Sequence, residues 1–209
     1  MKPDIAIVAG GTCDLSLYKD ILADAFIIGA DRGALYLAES GYQIDIAVGD
    51  FDSVSFSEME KICKFAGELD RLDAKKDETD LEHAVKRALH LPGVIHILGA
   101  TGTRHDHTET AINLLKLCHD AYREAYIYDA NNRIRLIEGH AVIKKGRYRY
   151  VSLIPYGDIM VNVSLKGFKY SGEHITLERK SSLGVSNEIE GDEAEIECRG
   201  YLYVFESED

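Results

Sequence analysis

The chain has no tryptophan, and its 4 cysteines lie too far apart to form any CxxC pair. Without an indole, an aromatic ligand contact falls to tyrosine or phenylalanine. Cys13, Cys63, Cys118 and Cys198 offer neither a disulfide framework nor a thiolate zinc site, so a reducing, cytoplasmic setting is expected. No apolar run reaches the roughly eighteen residues of a transmembrane helix. The opening MKPDIAIVAGG lacks the apolar core and cleavage site of a signal peptide and is read as a first strand and its turn. Neither GxGxxG nor the Walker sequence GxxxxGK[ST] occurs, which removes the usual dinucleotide fingerprint and the P-loop. Positive charge is scarce: 24 Lys and Arg face 36 Asp and Glu, a net charge of −12. That balance argues against a nucleic-acid partner. It still admits an anionic small molecule that arrives with a cation or meets a local basic cluster.

Apolar residues make up 45% of the 209, enough for a sizeable core. In the first two-thirds, the short runs DIAIVA, AFIIGA, IDIAVG and GVIHILGA alternate with helix-like stretches, and a weaker strand, ELDRL, precedes the last of them. Helices are predicted over Ser16–Asp24, Arg32–Ser40, Ser55–Ala66, Thr79–His90 and Thr108–Tyr122. This alternation specifies a doubly wound, mostly parallel α/β sheet with helices on both faces over residues 1–130. From about Asn131 the texture becomes short β-like runs separated by Gly, Asn and Asp turns, with no helix. An all-β, sandwich-like domain over 131–209 is expected. There is no low-complexity linker and no internal repeat.

In an open α/β sheet, ligands bind beyond the carboxyl ends of the strands. The joints there read Gly10-Gly11-Thr12, Asp31-Arg32-Gly33, Gly49-Asp50-Phe51-Asp52-Ser53, KKDETD at Lys75–Asp80 and GATGTRHDH at Gly99–His107. Each alone has an ordinary explanation: a tight turn, a helix cap, a solvated acid. Thr79 and Glu82 form a capping-box pattern that puts Asp80 in the first turn of its helix. Together, however, Asp31, Asp50, Asp52, Asp80 and Asp106 fall on one predicted edge and would repel one another unless a hard cation sat among them. Carboxylates without thiolates favour Mg²⁺ shared with phosphate oxygens. Arg32, Lys76 and Arg104 supply positive charge on the same edge. Arg104 can form a two-point phosphate clamp, and the N–H groups around Gly11 and Gly99–Thr103 can cradle phosphates. This is equipment for phosphoryl-type transfer.

The ordered set GADRGA, VGDFDS, DETDLEHA, GATGTRHDHTETAINLL and GFKYSGEHITLERKSSLGVSNE resembles the thiamine pyrophosphokinase (thiamine diphosphokinase) family over most of the chain. The resemblance implies a two-domain build and transfer of diphosphate from ATP to the hydroxyethyl group of thiamine, giving thiamine diphosphate and AMP. By position it makes Asp50, Asp52 and Asp80 the Mg²⁺-binding acids. Asp31, Ser53, Lys76, Thr79, Arg104 and Asp106 become nucleotide- and phosphate-site residues, with Asn113 in the same segment. It further implies a homodimer in which the β domain contributes to thiamine binding through Tyr170, Ser186 and Asn187. Some members carry Trp where this chain has Tyr170.

The chemistry itself requires attack at the β-phosphorus, since AMP leaves. Asp80 or Asp106 could orient the alcohol or accept its proton, and the residues alone do not choose between them. Two other readings compete: a Mg²⁺-dependent phosphatase using the DxD at Asp50 and Asp52, and a non-catalytic nucleotide-binding sensor.

Overall fold

The computed structural model describes residues 3–73, 75 and 77–209. It divides into two units, Met1–Ala130 and Asn131–Asp209. In the first, the apolar runs become β1 (Ile5–Val8), β2 (Phe26–Ala30), β3 (Ile44–Gly49), β4 (Ala66–Arg71) and β5 (Ile95–Leu98). A sixth strand, β6 (Ala125–Tyr128), also forms. It was not predicted, because its four residues AYIY follow directly on a helical pattern.

All pairings in this sheet are parallel, and the strand order is β6-β5-β1-β2-β3-β4. Sequence neighbours therefore spread in one direction from β1 to β4, and β5 returns to the other side of β1. The gap between the ends of β1 and β5 is the topological switch point.

The helices are α1 (Lys19–Ala23), α2 (Arg32–Glu39), α3 (Phe56–Phe65), α4 (Asp80–Leu89) and α5 (His105–Asp120). Three follow the prediction to within a residue. The first is split, its opening being a 3-10 turn at Leu15–Tyr18 capped by Asp14. The last begins three residues earlier than predicted, which makes Arg104 its N-cap residue. Local chemistry sets several boundaries. Ser55 and Glu58 form a reciprocal capping box on α3, and the Thr79 hydroxyl accepts from the Glu82 N–H at the start of α4. Ala6 and Val8 of β1 pack with Leu22, Leu35, Leu37 and Ile62 from α1, α2 and α3. Ile5 and Ile7 alternate to the opposite face and are equally buried. Both faces are thus covered, which explains why these strands read as continuous apolar runs.

The second unit is all β among the described residues. Its strands are β7 (Asn132–Lys144), β8 (Tyr150–Pro155), β9 (Ile159–Lys166), β10 (Gly172–Glu178), β11 (Asn187–Glu188) and β12 (Glu193–Ser207). RIRLIEG and HAVIKK, read as separate runs, form the single strand β7. β12 pairs antiparallel with β7 over nearly its whole length. Its early part also pairs with β9, and its later part with β8. The exchange of neighbour occurs at a register shift between Glu197 and Tyr201, where Gly200 has φ 128°. Val163, Phe168, Leu177, Ile196 and Leu202 lie in the core of this unit.

One close approach fixes α2 on β1. A Cβ on Gly33 would lie 2.0 Å from the Val8 carbonyl oxygen. Gly33→Ala should therefore force backbone apart, destabilising the protein by about 3 kcal/mol. We expect a melting temperature lower by about 6–12 °C, measured by calorimetry.

Candidate active site

The switch point holds a cavity of about 530 Å³. Gly11, Asp31, Thr79, Asp80, Arg104 and Asp106 all line it, so six of the predicted residues converge from four separate joints. Gly11 is fixed by sterics. Its N–H donates to the Gly99 carbonyl at 2.8 Å, and a Cβ there would lie 2.3 Å from the Thr101 carbonyl oxygen. The turns after β1 and β5 are thereby zipped together at the cavity floor.

Asp31 follows β2 with φ 48° and ψ −120°, a conformation unusual for a residue with a Cβ. Its backbone N–H donates to Val48 O at 2.8 Å, and the Ser53 hydroxyl donates to its carboxylate at 2.9 Å. The GDFDS turn is thus tied to Asp31. Phe51 also has positive φ, 57°, and is buried in the core with Leu35 and Ile62. The aromatic residue between the two acids is an anchor. It pins the turn from below while Asp52 remains exposed and its N–H donates to Asp50 Oδ1 at 3.1 Å. Asp50, Asp52 and Ser53 flank the cavity through this link to Asp31; they are not among its lining residues.

Burial pushes the Asp31 carboxyl above its ordinary value; the Ser53 hydrogen bond opposes the shift, and the negative charges of Asp80 and Asp50 add to it. These acids feel one another. Their donor set is carboxylate oxygen alone, which fits a hard cation such as Mg²⁺. Among the described residues, no group of three or more His, Cys, Asp or Glu side chains is gathered to hold a metal by itself. Mg²⁺ commonly takes one or two carboxylates and completes its shell with phosphates and water.

The N-termini of α4 and α5 both open onto the cavity, presenting N–H groups and positive dipole ends. At α5, the Arg104 fork is engaged with Asp106, with Nη2 donating to Oδ2 at 2.6 Å and Nε to Oδ1 at 3.2 Å. This bond holds the Asp106 carboxyl down at about 2. A phosphate at Arg104 would compete with this contact. Thr110 and Leu114 also line the cavity and were not predicted. They follow Asp106 at successive intervals of four along one face of α5, a periodicity that could have revealed them. Asn113 lies on the exposed side of α5 and does not line the cavity. Lys76 lies outside the described residues.

In the second unit, Tyr170, Ser186 and Asn187 come together. Tyr170 is 63% exposed, whereas Asn187 is 8% exposed. The Asn187 carboxamide accepts from Tyr170 N–H at 3.0 Å and donates to Tyr170 O at 3.1 Å. Ser186 has φ 59°, and its N–H donates to Ser152 Oγ. Asn187 thus acts on the backbone of Tyr170, whose exposed ring has the Lys169 ammonium 5.8 Å from its centroid.

The family model "Thiamin pyrophosphokinase, catalytic domain" matches residues 18–127, and "Thiamin pyrophosphokinase, vitamin B1 binding domain" matches residues 139–202. The curated thiamine pyrophosphokinase of Bacillus subtilis (strain 168) is 37% identical over 194 residues, covering 88% of this chain and 89% of that protein. A crystal structure of thiamine pyrophosphokinase from Bacillus subtilis superposes with a TM-score of 0.90 at 32% identity, over 99% of both chains. The enzyme from Geobacillus thermodenitrificans gives 0.86 at 33% identity, over 98% of this chain and 97% of that one. Thiamin pyrophosphokinase from Candida albicans shares the fold, with a TM-score of 0.86 at 19% identity, over 100% of this chain and 90% of that one.

The Arg104–Asp106 contact can be read directly. Because the folded-state value of Asp106 is depressed, its ion pair contributes above the ordinary value of 3.8 and is lost as pH falls toward about 2. In a carboxyl-resonance NMR titration, Asp106 should stay ionised until about 2, and Arg104→Ala should return it to the ordinary range near 3.8. An unchanged midpoint in that variant would show that Arg104 is not the cause.

Proposed function

The chain belongs to the thiamin pyrophosphokinase family, its reaction is transfer of diphosphate from ATP to thiamine with release of AMP, and we propose that the switch-point cavity carries out that transfer. The observation that carries this reading is the convergence of Gly11, Asp31, Thr79, Asp80, Arg104 and Asp106 on one cavity beside the GDFDS turn. The phosphatase and sensor readings have no observation in their favour.

In this reading the triphosphate lies against the zipped turns at Gly11 and Gly99–Thr103, where backbone N–H groups and two helix N-termini face it. Asp50, Asp52 and Asp80 would hold Mg²⁺. When bound there, it would supply positive charge to offset the negative charge building on the departing AMP. Asp31 is held by Ser53 and borders the same acids, so its charge and orientation shape the nucleotide site. Arg104 exchanges Asp106 for a phosphate and clamps it at two points. The alcohol oxygen of thiamine forms a bond to the β-phosphorus as the bond from that phosphorus to the AMP oxygen breaks. Once Arg104 has turned to the phosphate, Asp106 loses the contact that holds its carboxyl down, so it stands beside Asp80 as a candidate acceptor. The alcohol proton passes to Asp80, Asp106 or solvent, and much of the acceleration comes from holding alcohol and phosphorus in line.

We place thiamine's ring against Tyr170, with Ser186 beside it and Asn187 holding the tyrosine's backbone. A homodimer is supported by exposed apolar side chains in the same unit, Ile159, Val161 and Leu183 among them. A cytoplasmic setting is supported by the 4 free cysteines. Among the described residues, no helix is long and apolar enough to cross a membrane.

Incubation with ATP, Mg²⁺ and thiamine, followed by mass spectrometry, tests the reading: AMP and thiamine diphosphate should form only when thiamine is present. Asp80→Asn should keep the fold and lower kcat by about 100-fold or more. Near-normal turnover in that folded variant would remove Asp80 from the site. Tyr170→Ala should raise KM for thiamine about fivefold, the equivalent of about 1 kcal/mol of ring stacking, and leave KM for ATP unchanged. Equal effects on both substrates would count against the stacking role.

A further inference from the structure

One cluster of titratable side chains lies outside the chemistry described above, yet it spans the two segments that lead into it. His83 projects from α4 between two carboxylates. Its Nδ1 lies 2.6 Å from Glu78 Oε1, and its Nε2 lies 3.3 Å from Asp70 Oδ2. Glu78 immediately precedes Thr79, the N-cap of α4, and Asp80. Asp70 is on β4, aligned with Val48 of β3, and Leu72 N–H donates to Gly49 O at 3.0 Å. One partner of His83 therefore rides on the strand paired with the approach to GDFDS, and the other on the approach to Asp80.

The remaining charges hold each acid separately. Lys86 bonds Glu78 and also Glu82, at 2.8 Å from the latter. Arg87 reaches Asp70 at 3.4 Å and Glu68 at 2.7 Å. Among the described residues, His83 is the side chain that touches both Glu78 and Asp70. Its ring and both carboxylates are each no more than a quarter exposed (25%, 23% and 22%), so solvent screens these contacts only in part. The bond from Lys86, followed by that from His83, holds Glu78 below the usual carboxylate range.

We propose that His83 is a positioning residue for the diphosphate transfer: its imidazole staples β4 to the entry of α4 and so fixes Thr79 and Asp80 at the cavity. The role rests on the reading that Thr79 and Asp80 serve the triphosphate site. A displacement on the order of 1 Å in such a group can cost about 100-fold in rate, so a staple on this segment has kinetic leverage.

The test uses the full chain with His83→Leu, which fills space without donors, and His83→Gln, which keeps a donor. In the ligand-free protein, His83→Leu should speed amide hydrogen exchange at the start of α4, from Thr79 to His83, by about tenfold, and leave β1 and β5 unchanged. It should lower kcat for AMP formation about tenfold with KM for thiamine unaltered. His83→Gln, which can donate to only one of the two acids, should fall between wild type and His83→Leu in both measurements. If His83→Leu fails to fold, Asp70→Ala removes the acceptor at the other end of the staple and is read in the same way. Wild-type exchange and kcat in His83→Leu would overturn the proposal, as would a glutamine variant as impaired as the leucine one. Asp80→Asn separates the two levels: if it keeps full turnover, the site reading falls and takes this role with it. If it abolishes turnover while His83→Leu is silent, the staple alone is wrong.

Discussion

Parallel strands all end on the same side, and everything at the candidate site depends on that constraint. Each crossover returns the chain to the opposite edge, so the residue after every strand arrives at one rim. In this chain those residues are acids and glycines. The glycines let the turns after β1 and β5 approach within hydrogen-bonding distance. The acids then stand close enough that Asp50 and Asp80 help raise the Asp31 carboxyl. A rim built this way is electrostatically unfavourable in isolation.

The rest of the first unit keeps the rim from relaxing. Ser53 ties GDFDS to Asp31, Phe51 sinks that turn into the core, and Gly33 presses α2 against β1. Capping at Ser55 and Thr79 sets where α3 and α4 begin. Local hydrogen bonding and core packing therefore act on the same few residues. The strained backbone at Asp31 persists because its neighbours over-determine it.

Much of this was legible in the sequence. Apolar runs bounded by glycine identified four of the six parallel strands and the weaker ELDRL a fifth, and the strand-end rule then selected the joints at the candidate site. What escaped was information that depends on tertiary partners. β6 is too short to display a period. The strand β7 was divided at Gly139, which has φ 74° and reads in sequence as a turn. HDH carries no apolar periodicity, so the start of α5, and with it the place of Arg104 as N-cap, is not visible in the sequence. Asn187 looked like a ligand contact, but its carboxamide is committed to Tyr170 seventeen positions away, a pairing that exists only once the second unit has folded. His83 gave no signal in DLEHA, since its meaning comes from Asp70 on another element.

Phe51 carries an evolutionary consequence. The position must fill a core socket and also accept φ 57°. A β-branched side chain is strongly disfavoured at positive φ, and glycine or a small polar residue would tolerate the backbone but leave the socket empty. Drift at this position is therefore confined to a narrow set of bulky, unbranched or aromatic residues, although the residue touches no reacting atom. Invariance here would record the mechanical coupling of turn to core, and a survey that equated invariance with chemistry would misassign it.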